Sequence, residues 1–172
     1  MITAFILANN DAKALARTLN ALIGATIEGL VREVVLLAET GNEIATKLAD
    51  QTGCLITSQR EFSGLVKSAK GDWILILESG AFPEQGWVEA FENHLQSGSG
   101  AARFTRSPLA KQSLRNRLFK RETPLALGLL IEKRVALDKY TLSTPELLAK
   151  TAKPKPLPAQ LRPASNARQG AA

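Results

Sequence analysis

The triplet Glu78-Ser79-Gly80 closes an uninterrupted apolar run, Trp73-Ile74-Leu75-Ile76-Leu77, and is the first place in this sequence to look for chemistry. An apolar run without alternation is the pattern of a strand covered on both faces, as in parallel sheets packed between helices. In such sheets ligands sit beyond the carboxyl ends of the strands. Two further apolar runs end in polar residues, at Ala8-Asn9-Asn10-Asp11 and at Ala38-Glu39-Thr40-Gly41. As neighbouring strands, the three would meet in one crevice of carboxylates, amides and helix N-termini. Helix N-termini favour anionic groups such as phosphates. Arg60, just past another short apolar run, adds a cation. Glu78 is the only carboxylate of its triplet, where a metal site prefers two. Neither a Walker loop nor a G-x-G-x-x-G fingerprint is present.

Other reactive side chains point elsewhere. His94 is the only histidine, so no Ser-His-Asp or histidine-rich metal cluster can be assembled, and it reads as a surface residue on a helix flank. Cys54 is the only cysteine, which excludes an internal disulfide, and it reads as a small buried hydrophobe. Trp73 and Trp87 read as core residues.

The elements that must position the crevice can be read in order. Ile2 to Ala8 is a first strand. Asn9, Asn10 and Asp11 offer N-caps for a helix from Ala12 to Ile23, with Leu15, Leu19, Leu22 and Ile23 on one face and Gly24 at its end. Val31 to Ala38 is a second strand, Glu43 to Gln51 a helix closed by Gly53, Cys54 to Thr57 a short strand, and Ser63 to Lys70 a helix stopped by Gly71. After the central strand, Pro83 suits the first turn of a helix that buries Trp87, Ala90, Phe91 and Leu95. Ala101 to Thr105 and Leu127 to Ile131 read as strands, Leu109 to Arg121 as a basic helical segment, and Thr144-Pro145-Glu146 as a helix start. Alternating strands and helices predict an α/β fold with a mainly parallel sheet. At 172 residues one domain suffices, placed at residues 1–150.

The residues that carry this layout resemble the nucleotide-binding half of family 2 glycosyltransferases, which have the GT-A fold. Phe5-Ile6-Leu7-Ala8-Asn9-Asn10-Asp11 is similar to that family's opening strand, and Arg32-Glu33-Val34-Val35-Leu36-Leu37 to its second. Ala69-Lys70-Gly71-Asp72 and the following apolar run look like the approach to its D-x-D motif, with Trp87 as the aromatic residue shortly after. The likeness covers roughly residues 1–95 and is greatest to short bacterial members. It implies a Rossmann-like, three-layer GT-A-type domain. It also implies a nucleotide-sugar approached by Asn10 or Asp11 and by Glu39, with Arg60 at the diphosphate and a divalent metal, magnesium or manganese, on Glu78. The sugar would pass to a cell-envelope or lipid-linked acceptor, in a cytoplasmic, membrane-peripheral protein. The sequence departs from the pattern at three places. Ala38 stands where the family has a base-contacting aspartate, Gly41-Asn42-Glu43 replaces an acidic turn, and the D-x-D reads Glu78-Ser79-Gly80. The acceptor half is not recognisable; Glu146 falls in the region of the family's catalytic acid. These departures motivate an alternative, a catalytically inactive GT-A-like binding or scaffold protein.

Charge adds a second theme. The net charge is +6. Arg103, Arg106, Lys111, Arg115, Arg117, Lys120 and Arg121 form a block without an intervening acid, and Lys153, Lys155, Arg162 and Arg168 follow in an acid-free stretch. Such blocks favour anionic membrane surfaces or phosphate-rich partners. Only Phe104 and Phe119 lie nearby, which argues against stacking of single-stranded nucleic acid. With Pro154, Pro156, Pro158 and Pro163, residues 151–172 read as a disordered basic tail.

Overall fold

The computed structural model describes residues 1–97, 100–110 and 122–164. Five strands and four helices follow one another first: β1 (Ile2–Leu7), α1 (Ala12–Ile27), β2 (Val31–Ala38), α2 (Glu43–Thr52), β3 (Leu55–Ser58), α3 (Phe62–Ser68), β4 (Trp73–Glu78), β5 (Phe82–Pro83) and α4 (Trp87–Ser97). Then come β6 (Ala102–Arg106), β7 (Leu129–Glu132), α5 (Lys133–Lys139), α6 (Pro145–Ala152) and β8 (Lys155–Arg162). The strands form one mixed sheet in the order β3-β2-β1-β4-β7-β6-β8-β5. Pairing is parallel from β3 to β4, then antiparallel at β4–β7, β7–β6 and β8–β5, with β6–β8 parallel.

The continuous apolar runs split by residue parity between two cores. In β4, Trp73, Leu75 and Leu77 face the core shared with α1, α2 and α4, while Ile74 and Ile76 face the one shared with α3, α5 and α6. β1 divides likewise, Ile2, Ala4 and Ile6 against Phe5; β2 does so from Val34 to Ala38, while Val31, before a register shift, joins the first core. Full burial of each such side chain stabilises by about 1.5–3 kcal/mol. This gives the expected three layers, helices on both faces of an α/β sheet.

The start of β4 is latched to β1 and β2. Gly71 lies so close to β1 that a Cβ there would be 2.4 Å from the Thr3 amide nitrogen and 2.6 Å from the Ile2 carbonyl carbon. The Gly71 N–H donates to Thr3 Oγ1 at 2.9 Å, and Thr3 Oγ1 donates on to Glu33 Oε1 at 2.8 Å. Glycine here serves close approach.

Several local expectations are corrected. α1 continues through Gly24 to Ile27, and the chain turns at Gly29, whose φ of +79° supplies the left-handed residue. Phe82–Pro83 pair with Arg162 and Leu161 as a short strand, so α4 begins at Trp87 and not at Pro83. His94 is buried, its Nε2 2.9 Å from the Gly100 carbonyl and its ring edge-on to Trp73. Within the supposed tail, Lys155–Arg162 form β8. There Leu157, Ala159 and Leu161 turn inward while Pro156, Pro158 and Gln160 turn outward. β5 covers only the end of β8, so the prolines, which cannot donate, occupy an open edge where no donor is needed. Lys111, Arg115, Arg117, Lys120 and Arg121 of the basic block, and Arg168, lie outside the described residues.

Candidate functional site at the strand ends

Strand register brings the three predicted ends together. Thr57, Leu37, Leu7 and Glu78 form one row across β3, β2, β1 and β4. Just beyond it, Asn9 joins the ends: its Oδ1 accepts from Ser79 Oγ and from the Asp11 amide, both at 3.0 Å, and its carbonyl accepts from Asn42 Nδ2 at 3.4 Å. Asn42 also caps α2, accepting from the Ala45 amide. Asn9 and Asn42 therefore tie the three strand ends together. Their polar side chains at strand ends were visible in the sequence, but their partners were not.

The predicted contact residues sit around this frame. Asn10 is exposed at the β1–α1 junction. Asp11 is the α1 N-cap, its Oδ1 accepting from the Lys13 and Ala14 amides at 3.0 Å. Glu39 is exposed just after β2, and Arg60 is exposed in the helical turn after β3. Among the described residues no hydrogen bond or ion pair joins Asn10, Asp11, Glu39, Arg60 and Glu78 to one another. The sheet gives them a common edge rather than mutual contact.

Glu78 is bound differently. It is half-buried, and its Oε1 accepts from Thr123 Oγ1. Burial pushes its carboxyl above the usual range, the Thr123 hydrogen bond pulls it back, and the nearby Glu146 carboxylate raises it further. Glu146 lies in the first turn of α6, where Thr144 caps and Pro145 opens the helix. Thr123 and Glu146 thus complete the surroundings of Glu78 from far along the chain. Only Glu146 carried a signal in the sequence, through the capping pattern and its placement after β7.

The turn following Glu78 is closed by a hydrogen bond from the Ala81 amide to the Glu78 carbonyl at 3.0 Å. Gly80 adopts φ +95°, where L side chains are strained. A Cβ there would meet Ala14 Cβ at 3.4 Å and Ala164 at 3.5 Å. Thr18 of α1 pins the turn, its Oγ1 accepting from the Gly80 amide and donating to the Ala81 carbonyl, both at 2.8 Å. Position 80 is therefore packed and held, and Ser79 is already engaged by Asn9. That leaves Glu78 as the turn's one carboxylate. Among the described residues no three His, Cys, Asp or Glu side chains gather as a metal site. These residues do not fit the expected divalent metal held by the turn's own side chains.

No family model matches the sequence, and no curated protein does. Solved structures do match. Glucosyl-3-phosphoglycerate synthase from Mycobacterium tuberculosis, in complex with Mn2+, UDP and glucosyl-3-phosphoglycerate, superposes with a TM-score of 0.56 at 15% identity, over 78% of this chain and 57% of that one. S. aureus TarS matches with a TM-score of 0.61 at 12% identity, over 94% of this chain and 58% of that one. The fold is that of the GT-A glycosyltransferases. Mannosyl-3-phosphoglycerate synthase from Rubrobacter xylanophilus superposes too, with a TM-score of 0.59 at 11% identity, over 78% of this chain and 54% of that one. The chain spans somewhat more than half the length of these GT-A proteins. Among the described residues, no helix is long and apolar enough to cross a membrane.

Proposed function

We propose that the chain is a glycosyltransferase-like domain that binds a nucleotide-sugar at the carboxyl ends of β1, β2 and β4. The observation that carries this reading is the row Thr57-Leu37-Leu7-Glu78, which gathers the polar strand ends on the edge where open α/β sheets take ligands. Support comes from the GT-A neighbours, one of which was solved with UDP. Asn10, Asp11 and Glu39 approach the nucleoside, and Arg60 faces the diphosphate. Asp11 contributes chiefly by holding the α1 N-terminus, because its Oδ1 already serves two amides. The Lys13 and Ala14 amides of that helix start are taken by the Asp11 carboxylate and the Leu15 amide by the Asp11 carbonyl, so the phosphates depend on Arg60.

The reaction would be transfer of the sugar to a cell-envelope or lipid-linked hydroxyl, with Glu78 and Glu146 beside the reacting centre. A carboxyl raised by burial and by a like charge holds a proton more readily than an exposed one. The neighbour's Mn2+ has no matching carboxylate pair at the Glu78 turn, so diphosphate charge falls to Arg60. A second reading, a binding or scaffold protein without turnover, is favoured by Gly80, whose φ and packing replace the second acid with a fixed turn. The basic residues from Arg103 onward would draw either form to anionic membranes.

Calorimetric titration with UDP and with GDP, manganese present, tests the binding proposal. Saturable binding at or below millimolar concentration is expected; heat of dilution alone for both nucleotides defeats it. Glu146→Gln then separates the readings, since it abolishes transfer in an enzyme and leaves nucleotide binding by a scaffold unchanged.

A further inference from the structure

At the opposite end of the sheet lies a concavity. Of the large apolar side chains exposed among the described residues, Ile23 at 52%, Ile27 at 81% and Leu55 at 59% line one groove. It has a volume of about 500 Å³ and runs between the C-terminal half of α1 and the α2–β3 turn, over the start of β2. Leu19, Leu22 and Cys54 add to its apolar wall. Six residues of strand separate this end of the sheet from Glu78, about 20 Å, so the groove is independent of the nucleotide reading. Exposed apolar surface gathered in a concavity of this size marks a binding site more than a solvated face does.

Charge selects the occupant. Arg32, Glu33 and Lys70 stand where the groove meets β2. Glu33 is already engaged: its Oε1 accepts from Thr3 Oγ1 at 2.8 Å and from the Lys70 amide at 2.6 Å, and Lys70 Nζ lies 3.6 Å from its Oε2. Arg32 reaches the Met1 sulfur at 3.7 Å and pairs with no carboxylate among the described residues. The groove is therefore aliphatic along α1 and net positive at one end. We propose that it binds a single anionic amphiphile, the alkyl chain along Ile23, Ile27 and Leu55 and the anionic head at Arg32 and Lys70.

Cys54 lines the groove and is the only cysteine of the chain, so its reaction with a thiol-specific disulfide reagent reports occupancy. The probe is decanoate, used below its micellar concentration, with octanoate, decanol and acetate alongside. Decanoate should slow labelling saturably, acetate should not, and each added methylene should strengthen binding about threefold to fourfold if it is buried. Ile23→Glu, at an exposed position, should abolish protection without changing the circular dichroism spectrum. Arg32→Gln should weaken decanoate about threefold to tenfold and leave decanol unchanged. Unaltered labelling with decanoate overturns the proposal, as does equal protection in Ile23→Glu. Decanol binding as tightly as decanoate, with Arg32→Gln silent, overturns the anionic head. A concentration-dependent dimer that Ile23→Glu dissociates assigns the groove to a second copy of the chain instead.

Discussion

The two ends of β4 do different work. At its start, Lys70-Gly71 lock the strand to β1 and β2 through Thr3 and Glu33, with Gly71 pressed against backbone. At its finish, Glu78-Ser79-Gly80 forms a buried turn at the strand ends, pinned by Thr18 and Asn9. The resemblance to glycosyltransferases is strongest at the first end, in Ala69-Lys70-Gly71-Asp72, and fails at the second. The difference teaches that a motif can report packing more than chemistry. A glycine forced by a 2.4 Å approach identifies how strands are joined, not what the sheet binds.

The largest expected effect breaks the first end. Gly71→Ala should destabilise the protein by about 3 kcal/mol or more, because the new methyl meets main-chain atoms that cannot rotate aside. Denaturant unfolding checks this, and a loss below about 1 kcal/mol would show that the strands separate more easily than the latch implies. Next comes the pin at the second end. Thr18→Val keeps the shape but strands the Gly80 amide and the Ala81 carbonyl, costing about 2–4 kcal/mol in the same assay. Nucleotide binding should weaken along with it, since the turn borders the crevice.

Gly80→Asp places a second acid in the turn. With φ +95° and Ala14 and Ala164 alongside, it should cost about 1–3 kcal/mol and create no manganese site. Tight manganese binding by this variant, measured by calorimetry, would show that the turn can still rearrange into a metal motif.

How much of this was legible follows from where the determinants lie. Continuous apolar runs predicted β1, β2 and β4 and their burial on both faces, because full burial leaves no alternation to misread. β8 escaped because its prolines suggested disorder, while the alternation of Leu157, Ala159 and Leu161 is a period-two signal spanning only five residues. His94 was placed on the surface because a lone polar residue on a helix flank gives no hint of a carbonyl waiting at Gly100. Glu78 was found as a strand-end acid, but its setting depends on Thr123 and Glu146, whose nearness is a product of tertiary folding.

That setting gives a subtler effect. The Glu78 carboxyl is raised in the folded state, so the folded protein holds its proton to higher pH than the unfolded chain does. Stability contributed at this site therefore falls as pH rises from the ordinary carboxyl range through the folded value, then levels off. Glu78→Gln, which can still accept from Thr123, should be more stable than the parent at pH 7, and the gain should vanish below about pH 4. Glu146→Gln should narrow the window from above. Paired thermal melts across pH check both; a gain that grows on acidification contradicts the assignment.

The smallest effect concerns the basic residues. Co-sedimentation with phosphatidylglycerol vesicles should occur at low salt and disappear at about 0.5 M salt, where screening is a few ångströms. Changing Arg115, Arg117, Lys120 and Arg121 to Gln should weaken it without affecting stability. Equal binding to neutral vesicles would reduce this block to solvated surface.

The proposed nucleotide site needs no metal held by a carboxylate pair. Amide chemical-shift mapping with UDP in EDTA tests it most directly, followed by repetition with magnesium. Saturable shifts are expected at Asn10, Glu39, Ser79 and Gly80, none at Gly71, and little change when magnesium replaces EDTA. Shifts that appear at the strand ends only with magnesium, or shifts absent there under both conditions, would contradict it.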